Sequence, residues 1–241
     1  RLIINNQSLC FINSYQGWIA GTDGAIFYTK DGGLNWTRQE SRIPFTDGVR
    51  YAINGIHFAN SQIGVAVADA GYITQTTDGG KNWQSKGSDV IGEKSLRGVF
   101  FISPEVGWLI SYEGNAFHTV DGGRTWQQQN TGVRYELTDL FFLDENVGWI
   151  IGDRRIILHT QDGGKNWKYL TRDSNTKHET EYECPRKMGE EPLHSGILFE
   201  IQFTDQDFGW IAGDMGTILY TQDGGKTWLH QAGGSLDEKG G

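Results

Sequence analysis

A phrase of eight residues, Thr-x-Asp-Gly-Gly-x-x-Trp, recurs five times along this chain of 241 residues. Its first copy runs from Thr29 to Trp36. A second phrase, Gly-Trp followed by a small or apolar run, occurs four times and has a degenerate fifth copy at Gly64-Val65. Together the two phrases contain all nine tryptophans. Five copies of one supersecondary unit are typical of a repeat architecture, and this constrains the fold more than composition does.

Each unit predicts four short β-strands. An apolar stretch such as 137–142 comes first, and the Gly-Trp segment comes second. A tight turn leads to a third strand, and the Asp-Gly-Gly turn leads to a fourth strand that carries the tryptophan. Runs of this kind, bounded by Gly and Asp, are hairpin signals. Successive motif aspartates lie 47, 43, 41 and 61 residues apart, and periods of about 40–45 residues are typical of propeller blades.

The sequence therefore predicts an all-β protein, a single β-propeller domain over 1–241 built from five four-stranded blades. The longest interval adds one inter-blade insertion at about 168–195. Loops of this length are usually functional or disordered. Two interpretations are therefore open: the insertion contacts a partner or seals the ring, or it is mobile and neutral. The predicted repeat units are approximately 1–44, 45–92, 93–132, 133–171 and 195–234.

The motif aspartates and tryptophans are predicted to be structural. The aspartate can accept hydrogen bonds from backbone N–H groups just downstream, and the two glycines allow positive φ. The tryptophan can bury a large ring between neighbouring strands. A catalytic or metal-binding group is needed once, whereas a hairpin clasp is needed in every unit. The residues of this clasp are Asp31, Asp78, Asp121, Asp162 and Asp223, with Trp36, Trp83, Trp126, Trp167 and Trp228.

Other patterns give no sign of catalysis. His118 and His159 stand where other units carry Tyr or Gln, so they are predicted to belong to a strand face and not to a metal site. The chain has no HExxH, CxxC, GxSxG or P-loop pattern. We therefore expect no enzyme activity, no cofactor and no metal. The net charge of −9 disfavours a nucleic-acid partner, and no apolar run is long enough for a transmembrane segment.

The two cysteines lie far apart in the chain. Cys10 falls in the first unit and Cys184 in the insertion before the last unit. These units would be neighbours in a closed ring, so the two cysteines could form a ring-closing disulfide. The alternative is that they are two inert thiols.

Arginines are the most irregular feature of the repeats. In a propeller, the turns after the Gly-Trp strands lie on the same face as the connections between units. A docking patch for an acidic or polar polypeptide is predicted there, since Arg and Tyr are enriched at binding hot spots. The alternative is scattered, solvated arginines paired with Asp23, Asp69, Asp153 and Asp214. The predicted patch consists of Arg50, Tyr51, Arg97, Arg134, Tyr135, Arg154 and Arg155.

Both phrases resemble Asp-box (BNR) repeats. The segment 209–228 is similar to the photosystem II stability and assembly factor family, with the sequence Gly-Trp-Ile-Ala-Gly-Asp-Met-Gly-Thr-Ile-Leu-Tyr-Thr-Gln-Asp-Gly-Gly-Lys-Thr-Trp. The resemblance covers nearly the whole chain apart from the insertion and the tail after Gln231. It implies a β-propeller, in the thylakoid lumen or facing the periplasm, that helps a newly made reaction-centre subunit assemble. It also implies an arginine-rich patch on one face, although the photosynthetic members have seven blades and five units are counted here.

The leading hypothesis is a non-enzymatic protein-binding scaffold whose partner is a photosystem II reaction-centre subunit or another membrane-protein assembly intermediate. We expect an exported protein, in the periplasm, thylakoid lumen or extracellular space, whose signal segment this chain does not contain. A sialidase-like glycoside hydrolase is the rival, because Asp-boxes also occur in sialidases. A secreted carbohydrate- or surface-binding propeller is a third option. For the hydrolase, the residues facing the axis would be Arg97, Asp139, Glu200 and Tyr135.

Overall fold

The computed structural model describes residues 6–46, 48–170 and 196–231. Within these ranges the chain forms five four-stranded antiparallel sheets, each with its strands in sequence order. We call these sheets blades 1 to 5. The predicted β-propeller of five four-stranded Asp-box blades is confirmed. None of the described helical segments has the length and apolar character of a transmembrane span.

The strands follow one another in the same way in every blade. Blade 1 consists of β1 (Asn6–Phe11), β2 (Gly17–Gly21), β3 (Ala25–Thr29) and β4 (Thr37–Glu40). A small hairpin follows, with β5 (Phe45–Thr46) and β6 (Val49–Arg50). Blade 2 consists of β7 (Ile53–Phe58), β8 (Gly64–Ala68), β9 (Ile73–Thr76) and β10 (Gln84–Lys86). Blade 3 consists of β11 (Leu96–Phe101), β12 (Gly107–Ser111), β13 (Ala116–Thr119) and β14 (Gln127–Gln129). Blade 4 consists of β15 (Leu137–Phe142), β16 (Gly148–Gly152), β17 (Ile157–Thr160) and β18 (Lys168–Tyr169). Blade 5 consists of β19 (Leu198–Phe203), β20 (Gly209–Gly213), β21 (Ile218–Thr221) and β22 (Leu229–His230). Short 3-10 turns join the second and third strands of blades 1 and 2, at Thr22–Gly24 and Asp69–Gly71.

The first strand of each blade lies innermost. β1 packs on β7, β7 on β11, β11 on β15, and β15 on β19. Residues of all five strands line a central channel of about 800 Å³. The inner strands therefore place their polar side chains where a ligand or a neighbouring blade can reach them.

Each first strand also carries a β-bulge near its start. In β11 the pairing shifts between Leu96 and Gly98, which leaves Arg97 as the extra residue. Asn54 and Thr138 occupy the same position in β7 and β15. A bulge re-aims a side chain, and these side chains reach towards the following blade. Asn54 Nδ2 donates to the Leu96 carbonyl oxygen at 2.8 Å, and Thr138 Oγ1 donates to that of Leu198 at 2.5 Å.

The Asp-Gly-Gly turn is closed by side-chain hydrogen bonds. Asp121 Oδ1 accepts the Thr125 N–H at 2.9 Å and the Thr119 hydroxyl at 2.8 Å, while Oδ2 accepts the Thr125 hydroxyl at 2.6 Å. Gly122 and Gly123 have φ of 70° and 78°, values that a residue with a Cβ rarely adopts. The bonds from the threonine hydroxyl and from the downstream N–H to the aspartate recur in all four other blades.

Aromatic rings join one blade to the next. Phe203 in the first strand of blade 5 stacks on Trp149 of blade 4 at 4.2 Å and meets the edge of Trp228 in its own blade at 5.7 Å. Phe58 makes the same two contacts with Trp18 and Trp83. The Asp-box tryptophan is therefore packed edge-on against a phenylalanine, and the Gly-Trp tryptophan covers the face of the phenylalanine in the next blade.

Blade 2 lacks the Gly-Trp indole and compensates with a different residue. Val65 stands where the other blades have tryptophan, and it is buried beside Phe101. Gln75, on the neighbouring strand, donates through Nε2 to the Gly122 carbonyl oxygen at 3.0 Å. In blade 3 the equivalent bond comes from Trp108 Nε1, which donates to the Gly163 carbonyl oxygen at 3.0 Å. The amide of Gln75 thus replaces the hydrogen bond of the missing indole.

Candidate protein-binding face

The propeller has two different faces around its channel. Turns between first and second strands lie beside the Asp-Gly-Gly turns, since the Gly122 N–H donates to the Glu105 carbonyl oxygen at 2.8 Å. Turns between second and third strands lie beside the connections between blades, since the Tyr112 N–H donates to that of Ser95 at 2.8 Å. We call these surfaces the Asp-box face and the connection face. The predicted arginines and tyrosines belong to elements of the connection face, except Arg97, which lies in the inner strand β11 and lines the channel.

Arg97 connects blade 3 to blade 4. Its Nη2 lies 3.1 Å from Glu136 Oε1, and its guanidinium lies 5.2 Å from the ring centroid of Tyr112. Both members of the ion pair are partly buried. The bulge in β11 aims Arg97 across this junction, where Nη2 meets Glu136 and Nε is buried without a hydrogen-bond partner among the described residues.

Arg154 and Tyr135 form the second contact of this group. The Arg154 guanidinium lies over the Tyr135 ring at 4.6 Å, and its Nε is 3.9 Å from Asp153 Oδ2. Arg154 adopts a φ of 57°, which turns the side chain back over the connection. Arg134, next to Tyr135 in the chain, is exposed and forms no ion pair with a described residue. Arg134, Tyr135 and Arg154 define what we call the blade 4 cluster.

The other predicted residues lie apart from the blade 4 cluster or face another blade. Arg50 lies 4.0 Å from Glu40 and 5.8 Å from the Phe45 ring centroid, at the junction of blades 1 and 2. Tyr51 packs on Tyr72 at 5.5 Å. Arg155 is turned towards blade 5, because a Cβ added to Gly196 would lie within 2.9 Å of both Arg155 Nε and Asp214 Oδ1.

The alternative in which these arginines pair with turn aspartates holds for one pair in the described residues, Arg154 with Asp153. Asp69 instead accepts a hydrogen bond from Asn54 Nδ2 at 2.9 Å. Arg50 pairs with Glu40, and Arg97 pairs with Glu136. Neither pair was predicted from the sequence.

Three of the four residues named for the hydrolase line the channel: Arg97, Asp139 and Glu200. Tyr135 is not among them, because it lies beneath Arg154 on the connection face. The expected placement of Tyr135 at the axis is therefore wrong. Sequence spacing did not show this, since Tyr135 precedes β15 and does not belong to an inner strand.

Asp139 is the most perturbed group of the channel. Burial raises its pKa to about 7, and the charge of Glu200 acts in the same direction, while hydrogen bonds from the Ile201 and Leu140 N–H groups oppose them. Asp139 Oδ2 accepts the Ile201 N–H at 2.9 Å and so ties blade 4 to blade 5. Burial lowers the pKa of His57, also in the channel wall, to about 4. The described residues contain no group of three His, Cys, Asp or Glu side chains that could hold a metal ion.

His118 and His159 are stacking residues. His118 lies on Trp108 at 4.9 Å, and His159 lies on Trp149 at 5.0 Å. Burial raises the pKa of the Cys10 thiol in β1. The predicted partner of that thiol, Cys184, and the insertion residues 171–195 lie outside the described residues.

Comparison with known proteins gives both a family and a set of similar folds. The family model described as "Photosynthesis system II assembly factor YCF48" matches residues 4–89 and 86–180. The curated "Photosystem II stability/assembly factor HCF136, chloroplastic" of Guillardia theta is 46% identical over 43 residues, which are 17% of this chain and 11% of that protein. The match therefore spans about a tenth of the curated relative.

Several solved structures have a similar fold at low sequence identity. YCF48 from Cyanidioschyzon merolae is 17% identical with a TM-score of 0.58, over 96% of this chain and 87% of that chain. A structure of YCF48 bound to D1 peptide is 20% identical with a TM-score of 0.52, over 95% and 82%. An ancestral GH74 enzyme is 13% identical with a TM-score of 0.67, over 95% of this chain and 31% of that chain. At these identities the likeness shows the fold alone. The family model, in contrast, matches well over half of the chain, and the protein therefore belongs to the photosystem II assembly factor (YCF48) family.

Proposed function

We propose that this protein is a non-enzymatic assembly factor that binds a polypeptide of a photosystem II reaction centre on its connection face. Family membership supports the assembly role. The similar structure of YCF48 bound to D1 peptide supports a reaction-centre polypeptide as the class of partner. The observation that carries the choice of face is the blade 4 cluster, where Arg154 lies over Tyr135 beside the exposed Arg134.

The chemistry of the blade 4 cluster suits an acidic or polar peptide. A guanidinium offers a planar set of donors that matches a carboxylate, and a tyrosine ring adds contact area at low entropic cost. The chain as a whole carries a net charge of −9, whereas the blade 4 cluster presents two guanidinium groups, of which that of Arg154 lies 3.9 Å from Asp153. Arginines on an acidic protein favour the orientation in which an acidic partner meets them, because the rest of the surface repels that partner.

Arg97 has a different role within the same proposal. Its ion pair with Glu136 and its position over Tyr112 hold blades 3 and 4 together beneath the cluster. We assign it as a positioning residue. A change at Arg97 alters stability as well as binding, so it is a poor test of the docking surface.

The test uses a synthetic D1 peptide and charge reversal on each face. Arg134→Glu with Arg154→Glu is expected to weaken peptide binding at least about tenfold, because each change removes one donor and adds repulsion. Arg124→Glu with Lys165→Glu is the matched control, since both residues are exposed on the Asp-box face. Binding is measured by isothermal titration calorimetry at two salt concentrations. Equal losses in the two double variants, or no loss in the first, would exclude the connection face.

The glycoside hydrolase alternative depends on Asp139 and Glu200 in the channel. Sialosides and aryl glycosides are the substrates to assay, with Asp139→Asn and Glu200→Gln as variants. If the protein is an assembly factor, the wild type is expected to hydrolyse neither class of substrate. Turnover that is lost in Asp139→Asn or Glu200→Gln would contradict this. We further propose that the protein acts after export, in the thylakoid lumen or periplasm, in keeping with the chloroplastic location of the HCF136 relative.

A further inference from the structure

Every junction between described blades is made from the same two surfaces. The second and third strands of one blade present what we call a trailing face, represented in blade 4 by Trp149 and Ile157. The first strand of the next blade presents a leading face, represented in blade 5 by Ile201 and Phe203. Four such junctions occur, one between each successive pair of blades, and their apolar side chains are almost completely buried.

The trailing face of blade 5 keeps this chemistry and is uncovered. Trp210 pairs with Tyr220 across β20 and β21, as Trp149 pairs with His159 in blade 4. Trp210 is 39% exposed, whereas Trp149 is 0% exposed. Ile218 and Leu229 lie on the same side of the sheet and are also exposed.

The leading face of blade 1 is uncovered in the same way. Phe11 has the place that Phe203 has in blade 5, since each is the last residue of its first strand and pairs with the glycine that opens the second. Phe11 is 41% exposed and Phe203 is 4% exposed. Leu9, on the same strand, is 62% exposed. β1 and β19 do not pack on each other as the other neighbouring inner strands do.

Blade 1 also carries exposed apolar residues on the Asp-box face, in turns outside the leading face. Leu34 is 84% exposed in the Asp-Gly-Gly turn, and Tyr15 in the adjacent turn is exposed as well. The Gly32 N–H donates to the Tyr15 carbonyl oxygen at 2.9 Å, so the two turns touch. The other four blades carry Lys or Arg in place of Leu34, at Lys81, Arg124, Lys165 and Lys226.

We propose that the trailing face of blade 5 binds the leading face of blade 1 in a second copy of this chain. The two faces are the halves of a junction that the described residues already form four times, with one half in blade 1 and the other in blade 5. Trp210 would stack on Phe11 of the second copy as Trp149 stacks on Phe203. Such a contact is heterologous, so each added copy leaves one free half at each end of the assembly. Exposed apolar patches of this kind are typical of protein–protein contacts. This association is independent of the proposed peptide site.

The experiment uses one variant for each half of the junction. Trp210→Glu removes the trailing half and Phe11→Glu removes the leading half, while Leu34→Glu changes an exposed apolar residue away from both. Analytical ultracentrifugation over a range of concentrations gives the molar mass, and circular dichroism with thermal melting checks that each variant is folded. Both end-face residues are exposed in the single chain, so each variant is expected to match the melting temperature of the wild type at concentrations where the wild type is monomeric.

The expected result is self-association of the wild type and of Leu34→Glu, with each end-face variant monomeric. An equimolar mixture of Trp210→Glu and Phe11→Glu is expected to form a 1:1 dimer and nothing larger, because one intact half remains on each chain. A wild type that stays monomeric, or a mixture that does not associate, would overturn the proposal. A monomeric wild type whose melting temperature falls on Trp210→Glu would instead show that the chain closes on itself.

Discussion

Trp108 of blade 3 stacks on Phe142 of blade 4, with ring centroids 3.6 Å apart and ring planes 7° apart. The indole N–H donates to the Gly163 carbonyl oxygen in the Asp-box turn of blade 4 at 3.0 Å. The same phenylalanine meets the edge of Trp167 at 6.0 Å. One aromatic ring therefore joins the two repeated phrases across a blade junction.

The first prediction concerns this stack. Trp108→Ala is expected to lower the free energy of unfolding by about 3–5 kcal/mol, because it leaves a cavity at a fully buried junction and removes the hydrogen bond to Gly163. Trp210→Ala is the matched control, measured at concentrations where the protein is monomeric, with an expected loss below about 1 kcal/mol from its exposed position. Chemical denaturation followed by circular dichroism measures both. Similar losses in the two variants would contradict the assigned role of the junction.

The second prediction concerns the Asp-box turn. Asp121→Ala is expected to destabilise the protein by roughly 1–3 kcal/mol, since three hydrogen-bond donors lose their acceptor. Asp89→Ala is the control, because Asp89 is exposed and lies in a connection. The difference between the two melting temperatures is the measurement. If Asp121→Ala leaves the melting temperature unchanged, the turn does not depend on its carboxylate.

The third prediction concerns acid. Hydrogen bonds from Asn35 and Thr29 lower the pKa of Asp31 to about 2, and those from Thr125 and Thr119 do the same for Asp121. A carboxyl whose folded pKa lies below its unfolded value stabilises the fold above that unfolded value, about 3.9. This contribution is lost as the pH falls from about 4 through 2. The melting temperature is therefore expected to fall over this window in the wild type and to fall less steeply in Asp121→Asn. Parallel curves for the two proteins would count against the assignment.

The fourth prediction has the opposite sign. The pKa of Asp139 is raised to about 7, above its unfolded value, so the folded protein holds a proton that the unfolded chain releases between about pH 4 and 7. The contribution to stability is greatest below pH 4 and is lost as the pH rises through 7. Asp139→Asn keeps an oxygen for the Ile201 N–H and cannot ionise. It is expected to be more stable than the wild type by on the order of 4 kcal/mol at pH 8 and about equal to it at pH 4. A stability difference that does not change with pH would show that Asp139 is ionised in the fold.

Much of the fold could be read from local chemistry. The number of blades and the position of the Asp-Gly-Gly turns follow from a repeat in which each residue acts on neighbours within four positions, such as Asp31 on Asn35. The first strand of blade 1 is less evident from the sequence. Its apolar residues begin at Leu9, whereas the strand starts at Asn6 and pairs with β2 through polar residues as well.

The candidate site was harder to predict. The arginines were recognisable as irregular residues on one face, yet their partners were not. Arg97 meets Glu136 because a β-bulge in β11 turns it across a blade junction. Arg154 covers Tyr135 because its backbone adopts a positive φ. Neither the bulge nor the positive φ can be recognised from residue spacing. The sequence therefore did not show that Tyr135 lies under Arg154 and not at the axis.

The sequence by itself determined the repeating unit, its turns and the indoles that recur in it, because those depend on hydrogen bonds and φ angles within a single hairpin. Only the tertiary structure decided which ring covers Phe142, which carboxylate meets Arg97, and that Trp210 and Phe11 are left uncovered. These outcomes depend on the way one blade is set against the next, between residues that are 34 positions apart for Trp108 and Phe142 and 39 for Arg97 and Glu136. Contacts between residues so far apart depend on how the surfaces of whole sheets fit together and which side chains they bury. A local sequence pattern does not contain this information.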